Sequence, residues 1–173
     1  MASVTYKNQP AINKTKGNVP LAGNSHVYTV SKKLWHDNIE DVLQGLFIGT
    51  TLHVCCGKSQ LGDVRLDHDP DNHPDIICDA SNMKAIVEDN QFDTVLCDPP
   101  YNGKFQWNHD LLSELPRVAS QRIIFQHWFI LRIIGLIKAQ EKFQLIDVLV
   151  WQPKTYFGRV NVISVFDRII DVD

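Results

Sequence analysis

Long hydrophobic runs are missing from this sequence of 173 residues. No apolar stretch approaches the ~20 residues that a membrane-spanning helix needs. Residues 1–6 also lack the apolar core of a signal peptide. We therefore expect a cytoplasmic protein with no membrane segment. Its length suits a single domain, and 44% hydrophobic residues are enough to build a core.

Cysteine is scarce as well. The four cysteines are Cys55, Cys56, Cys78 and Cys97. They do not follow the paired spacing of a zinc site, and structural disulfides are rare in cytoplasmic proteins. We therefore expect small buried thiols, with no disulfide and no metal site.

Acidic side chains are absent from residues 1–36, which hold five lysines. Residues 63–98 hold ten acids against two bases, whereas residues 99–173 hold nine bases against seven acids. An acidic cluster attracts a cationic ligand, and a polyanion such as a nucleic acid prefers the basic segments. Residues 1–30 also show no helical or strand period. The sequence predicts an extended basic N-terminal arm at 1–30 and one domain at 31–173.

A tetrapeptide, Asp98-Pro99-Pro100-Tyr101, follows the β-branched and apolar run 92–97. The run predicts a buried strand, and the two prolines prevent its continuation. Asp98 would then lie at the carboxyl end of a strand, where open α/β sheets bind their ligands. Its carboxylate and the Pro99 carbonyl can accept two N–H bonds of a planar amine, on which Tyr101 can stack. The tetrapeptide therefore predicts an active site.

The motifs around this tetrapeptide resemble those of a known family, the class I S-adenosylmethionine-dependent methyltransferases that act on amino groups. The catalytic loop of that family reads Asp/Asn/Ser-Pro-Pro-Tyr/Phe/Trp. The other matching segments are a first strand and glycine turn at 52–57, a second strand at 64–67, a third at 75–80, a helix at 115–118 and a fifth strand at 122–125. The resemblance is best over residues 50–130.

The resemblance implies an α/β fold, a Rossmann-like class I methyltransferase sheet that is mostly parallel with an antiparallel C-terminal strand. It also implies S-adenosylmethionine as the cofactor. The residues that it assigns to cofactor binding are His53, Cys55, Gly57, Asp67, Asp79, Ala80 and Asp98. The catalytic residues are Asp98, Pro99, Pro100 and Tyr101, and the substrate-binding residues are Tyr101, Asn102, Lys104, Phe105 and Trp107.

Two features depart from the family pattern. His53 stands where the family carries an acid, and the run Gly57-Lys58-Ser59 replaces its Gly-x-Gly turn. Only nine residues separate Gly57 from Asp67, although a parallel crossover normally needs a dozen or more. The stretch 69–74, rich in Asp, Asn and Pro, is predicted to be a loop. We therefore expect the first two crossover helices to be shortened.

Periodicity and capping residues predict the remaining elements. Helices are expected at 32–46, from a Ser81 cap to Val87, from an Asn108 cap through Leu115, and at 129–143. Strands are expected at 145–151 and 160–168, forming a terminal antiparallel pair.

The resemblance implies methyl transfer to an exocyclic amino group, with adenine N6 in DNA as the first choice. None of the cysteines follows a proline, as the nucleophile of a cytosine C5-methylating enzyme would. Two alternatives stay open: an RNA base amino-methyltransferase acting on adenine N6 or guanine N2, and a catalytically silent accessory subunit that binds nucleic acid. The chain has no room for a separate recognition region. A second copy or a recognition subunit is therefore expected beside the nucleic acid, DNA ahead of RNA.

Overall fold

The computed structural model describes residues 39–100, 109–127, 142–151 and 161–169. The α-helices are α1 (Ile39–Gln44) and α2 (His109–Val118), and the 3₁₀ helices are Pro70–Asn72 and Ala80–Ala85. The strands are β1 (Thr51–Val54), β2 (Val64–Asp67), β3 (Ile76–Ile77), β4 (Phe92–Cys97), β5 (Ala119–His127), β6 (Phe143–Trp151) and β7 (Asn161–Arg168). No helix within these ranges is long and apolar enough to cross a membrane. The predicted arm, 1–30, lies outside the described residues.

The seven strands form one sheet in the order β3-β2-β1-β4-β5-β7-β6. The first five in this order run parallel to one another. Strand β7 lies antiparallel between β5 and β6. The predicted α/β sheet, mostly parallel with an antiparallel C-terminal strand, is confirmed.

Apolar side chains cover both faces of the central strands, as expected for parallel strands buried on two sides. Successive side chains of a strand point to opposite faces, which divides the core into two clusters. The cluster on the α2 face includes Leu52, Val54, Val95, Leu111, Leu115 and Ile123. The cluster on the α1 face includes Leu43, Leu61, Leu96, Ile124, Ile163 and Val165. The strand ends that carry acids are thereby held on a rigid central layer.

The first crossovers are as short as the sequence predicted. The connection from β1 to β2, all of whose residues are described, contains turns and no helix. The connection from β2 to β3, predicted as a loop, contains the 3₁₀ turn Pro70–Asn72. This turn forms because the Asp69 carboxylate caps it, accepting the Asp71 N–H at 3.0 Å.

Two local predictions were wrong. The helix predicted from a Ser81 cap is the 3₁₀ helix Ala80–Ala85, and its cap is Asp79, whose carboxylate accepts the Ser81 N–H. Phe143, predicted to end a helix, is the first residue of β6, where it pairs with Arg168 of β7. In both places a specific partner, a carboxylate or a neighbouring strand, decided the local structure. The predicted cap Asn108 lies outside the described residues.

Candidate functional site

A cleft of about 580 Å³ opens at the carboxyl ends of β1, β2, β3 and β4. Its lining consists of residues 55–58 after β1, 66–68 at the end of β2, Asn72, residues 78–80 after β3 and residues 98–100 after β4. The three acids predicted at strand ends, Asp67, Asp79 and Asp98, therefore border one cavity. A crevice at this edge is the usual ligand site of an open α/β sheet.

The turn after β1 contains two residues in the left-handed region. Cys55 has a φ of 57° and Gly57 a φ of 53°. Glycine adopts this conformation without steric cost, whereas a residue with a Cβ is strained in it. Apart from its own chain neighbours, no described residue has an atom within 4 Å of the position that a Cβ on Gly57 would occupy. The turn therefore presents bare backbone to open space at the cleft.

Asp67 ties this turn to the end of β2. Its Oδ2 accepts the Gly57 N–H at 2.8 Å, and its Oδ1 accepts the Asp69 N–H at 2.9 Å. The residue is only 5% exposed. Burial raises the pKa of Asp67, but hydrogen bonds from Asp69, Gly57 and the Asn72 side chain outweigh it, so the net pKa lies below its ordinary value. Asp67 is therefore an ionised carboxylate at neutral pH.

Asp79 borders the cleft just after β3. Its Oδ1 accepts the Ser81 hydroxyl at 2.6 Å and the Ser81 N–H at 2.8 Å. These two bonds lower the pKa of Asp79. Ala80, the next residue, is buried beneath the cleft wall. Asp79 is thus a second fixed negative charge on the same cavity.

Asp98 extends the pairing of β4 with β1 by one step, because its N–H donates to the Val54 carbonyl at 3.2 Å. Pro99 is buried and Pro100 is exposed, and all three residues line the cleft. The prolines end the strand as predicted. The structure therefore brings residues 98–100 to the same cavity as Gly57 and Asp67. The other predicted catalytic and substrate-binding residues lie outside the described ranges: Tyr101, Asn102, Lys104, Phe105 and Trp107.

His53, predicted to contact a cofactor, does not appear in the lining of the cleft. Its ring is 3% exposed and lies on the α1 side of β1, where Nδ1–H donates to the Leu61 carbonyl at 3.2 Å. Burial lowers the pKa of His53 to about 4, so the ring is neutral at neutral pH. Its Nε2 has no hydrogen-bond partner among the described residues.

The four cysteines lie in or directly behind the wall of the cleft. Cys55, Cys56 and Cys78 line the cleft, and Cys97 is fully buried behind it. Burial, followed by a hydrogen bond with Cys55, raises the pKa of the Cys97 thiol well above its ordinary value. Burial raises the pKa of Cys56 to about 11. Because the thiolate is the reactive form, neither thiol is an activated nucleophile.

No protein-family model matches the sequence, and no curated protein sequence matches it either. Solved structures do match the fold. TrmN from Thermus thermophilus superposes with a TM-score of 0.55 at 17% identity, over 76% of this chain and 47% of TrmN. The chain thus spans about half the length of TrmN.

Two further matches were crystallised with cofactor or product. The 1,6-didemethyltoxoflavin-N1-methyltransferase of Burkholderia thailandensis, with bound S-adenosylhomocysteine, has a TM-score of 0.57 at 10% identity, over 75% of this chain and 76% of that one. The magnesium protoporphyrin IX methyltransferase of Synechocystis PCC 6803, with bound S-adenosylmethionine, has a TM-score of 0.52 at 15% identity, over 76% and 78%. The fold is that of the class I methyltransferases. At these identities the likeness concerns the fold alone.

Several lining residues of this methyltransferase fold were not predicted from the sequence. They are Cys56, Lys58, Leu66, His68, Asn72 and Cys78. Lys58 and His68 each adjoin a predicted residue, so proximity to Gly57 and Asp67 was an available signal. Asn72 reaches the site only because the 3₁₀ turn Pro70–Asn72 folds back toward Asp67, and sequence spacing gives no sign of that.

Proposed function

We propose that this protein is an S-adenosylmethionine-dependent methyltransferase that methylates an exocyclic amino group, with adenine N6 in DNA as the first substrate. One observation carries the proposal. Residues 98–100, which begin the Asp-Pro-Pro-Tyr tetrapeptide, line the same cleft as the Gly57 turn and Asp67. The residues proposed to bind the amine, 98–100, and the residues proposed to hold the cofactor, Gly57 and Asp67, therefore line one cavity.

The cleft fits S-adenosylmethionine in its charge and in its shape. Asp67 and Asp79 have lowered pKa values and supply negative charge, which favours a cationic sulfonium compound. The empty space beside Gly57 gives a ligand access to the backbone. In this proposal Gly57, Asp67 and Asp79 hold the cofactor, as do the other predicted cofactor residues that line the cleft, Cys55, Ala80 and Asp98. When bound, S-adenosylmethionine supplies a methyl group on a positively charged sulfur.

The amine is prepared by Asp98 and Pro99. An exocyclic base nitrogen is a weak nucleophile because its lone pair is delocalised into the ring. The Asp98 carboxylate and the Pro99 carbonyl accept hydrogen bonds from its two N–H groups, which localises the lone pair and fixes the direction of attack. No covalent enzyme intermediate is needed, in keeping with the raised pKa values of Cys56 and Cys97. For a duplex substrate, the base must also leave its stack to enter the cleft.

A catalytically silent, nucleic-acid-binding subunit is the second candidate, and two observations favour it. The backbone of Cys55 is strained in the left-handed region, with a φ of 57°, and both Asp67 oxygens already accept backbone N–H groups. An RNA base amino-methyltransferase would use the same residues as the DNA enzyme. The three candidate functions differ in whether methyl transfer occurs and in whether DNA or RNA receives the methyl group.

A methyl-transfer assay separates the candidates. Purified protein is incubated with methyl-labelled S-adenosylmethionine and either DNA or RNA, and the polymers are digested to nucleosides to identify the labelled base. We expect label in N6-methyladenine from DNA. Asp98→Ala should reduce the rate by about 100-fold or more, whereas Glu88→Ala, which removes an exposed acid remote from the cleft, should leave it unchanged.

Each of the other outcomes would support a different conclusion about the function. Label in RNA alone would make the RNA enzyme the better candidate. Nucleic-acid binding without methyl transfer would support the silent subunit. Full activity of Asp98→Ala, with folding verified by its thermal transition, would overturn the catalytic assignment of the tetrapeptide.

A further inference from the structure

Lys58 lies on the cleft immediately after Gly57, in the turn that follows β1. The backbone of this turn is held on both sides of Lys58. The Gly57 N–H donates to Asp67 at 2.8 Å, and the Ser59 N–H donates to the Cys56 carbonyl at 3.0 Å. The Lys58 carbonyl accepts the Gln60 side-chain amide at 3.3 Å. The base of the lysine side chain is therefore fixed beside the cavity.

The ammonium group of Lys58 is exposed and forms no ion pair within the described residues. Its neighbours on the cleft carry the opposite charge. Three carboxylates line the cavity, those of Asp67, Asp79 and Asp98, whereas Lys58 is the single lysine or arginine of the described lining. The described lining of the cleft thus carries one lysine, in the β1 turn, among three carboxylates.

A ligand that is itself charged at both ends would be oriented by this distribution. S-adenosylmethionine has one anionic group, the α-carboxylate of its methionine part, together with a cationic amine and a cationic sulfonium. Asp67, Asp79 and Asp98 repel that carboxylate, so Lys58 is the one lysine or arginine of the described lining that attracts it. An ammonium–carboxylate pair there would be a charge-assisted hydrogen bond.

We propose that Lys58 binds the α-carboxylate of S-adenosylmethionine and so fixes which end of the cofactor lies at the β1 turn. This inference rests on the proposed function and adds a residue to it. Lys58 then determines specificity, because it distinguishes S-adenosylmethionine from an otherwise identical sulfonium compound without the carboxylate. It takes no part in the chemistry of methyl transfer.

The test compares two ligands by titration calorimetry: S-adenosylmethionine and its decarboxylated form, S-adenosylmethioninamine. The variants are Lys58→Ala, Lys58→Arg and, as a matched control, Lys84→Ala, which removes an exposed lysine outside the cleft. Lys58→Ala should weaken binding of S-adenosylmethionine about tenfold. Its affinity for the decarboxylated form should be unchanged or slightly higher, because removal of a positive charge relieves repulsion of that more cationic ligand. Lys58→Arg and Lys84→Ala should bind both ligands as the wild type does.

Equal loss of affinity for both ligands in Lys58→Ala would overturn the inference, since the lysine would then act without reference to the carboxylate. Unchanged affinity for S-adenosylmethionine would overturn it as well. Both of these results leave the proposed function standing, because the wild type still binds the cofactor. A wild type that binds neither ligand would overturn the proposed function and the Lys58 assignment together.

Discussion

The backbone N–H of Gly57 donates a 2.8 Å hydrogen bond to Oδ2 of Asp67. This bond joins the turn after β1 to the last residue of β2, its neighbour in the sheet. The Asp67 carboxylate thus stabilises the glycine turn and also lines the cleft. The position and the charge of the candidate cofactor site therefore depend on the same side chain.

Asp67→Asn should destabilise the protein by about 1–3 kcal/mol at neutral pH. An amide offers one acceptor oxygen in place of two, so the N–H of Gly57 or of Asp69 would face a second donor. Denaturation in urea measures the loss. Asp71→Asn is the control, because that exposed carboxylate accepts no hydrogen bond from the described residues.

The stability of the wild type and that of Asp67→Asn should respond differently to acid. The folded-state pKa of Asp67 lies below its ordinary value of 3.8. Its stabilising effect is therefore complete above that value and is lost as pH falls through the folded-state pKa. The difference in unfolding free energy between wild type and Asp67→Asn should stay constant from about pH 7 to about pH 4 and narrow below about pH 4. A difference that does not narrow there would mean that the carboxylate charge contributes nothing to stability.

Gly57→Ala should fold with a loss of about 1–2 kcal/mol, because a Cβ is strained at a φ of 53°. Among the described residues other than its chain neighbours, none has an atom within 4 Å of the added methyl group, so the group should occupy space that the cofactor needs. The affinity of Gly57→Ala for S-adenosylmethionine should therefore be lower than that of the wild type. Gly45→Ala, whose Cβ would meet backbone oxygens at 3.4 and 3.5 Å, serves as the control. Equal affinities of the two variants would move the cofactor away from the β1 turn.

Because of His53, the protein should be less stable in mild acid than at neutral pH. Burial lowers the pKa of His53 from 6.5 to about 4, so the unfolded chain takes up a proton between these values while the folded protein does not. Stability should fall by about 2 kcal/mol from about pH 7 to about pH 5 through this residue. His53→Gln retains a donor for the Leu61 carbonyl and should lose this part of the pH dependence. Identical pH profiles would contradict the neutral buried ring.

Asp167→Asn should weaken the junction of β5 with β7. The Arg122 guanidinium donates to both oxygens of Asp167, at 2.6 and 2.8 Å, and to the Leu46 carbonyl at 2.8 Å. Loss of the charged acceptor should cost about 1–3 kcal/mol. Glu88→Gln, at an exposed position, should cost nothing measurable in the same denaturation experiment. If the two variants were equally stable, the bidentate pair would add nothing to the sheet.

The sheet and its acid-bearing edge could be predicted because short apolar runs end in marked residues. The run before Asp98 stops at two prolines, and the run before Asp67 stops at the acid itself. These are local signals, and the structure retains them. The short crossovers could also be predicted by counting residues. The nine residues between Gly57 and Asp67 are too few for the turns and the full helix of an ordinary parallel connection.

The details of the cleft depended on information that local patterns do not carry. Strict alternation along β1 puts Leu52 and Val54 on one face and His53 on the other, toward Leu61. That period-two argument was available from the sequence, but the resemblance to the methyltransferase family implied a cofactor contact instead. The roles of Asp79 as a cap and of Asn72 as a partner of Asp67 depend on tertiary contacts, so sequence spacing alone could not reveal them.

Titration calorimetry of the wild-type protein with S-adenosylmethionine and with S-adenosylhomocysteine tests the central claim most directly. We predict saturable binding of both at one site per chain, of micromolar strength, that Gly57→Ala weakens and Glu88→Ala leaves unchanged. A folded protein that releases or absorbs no heat with either ligand would contradict the assignment of the cleft as a cofactor site.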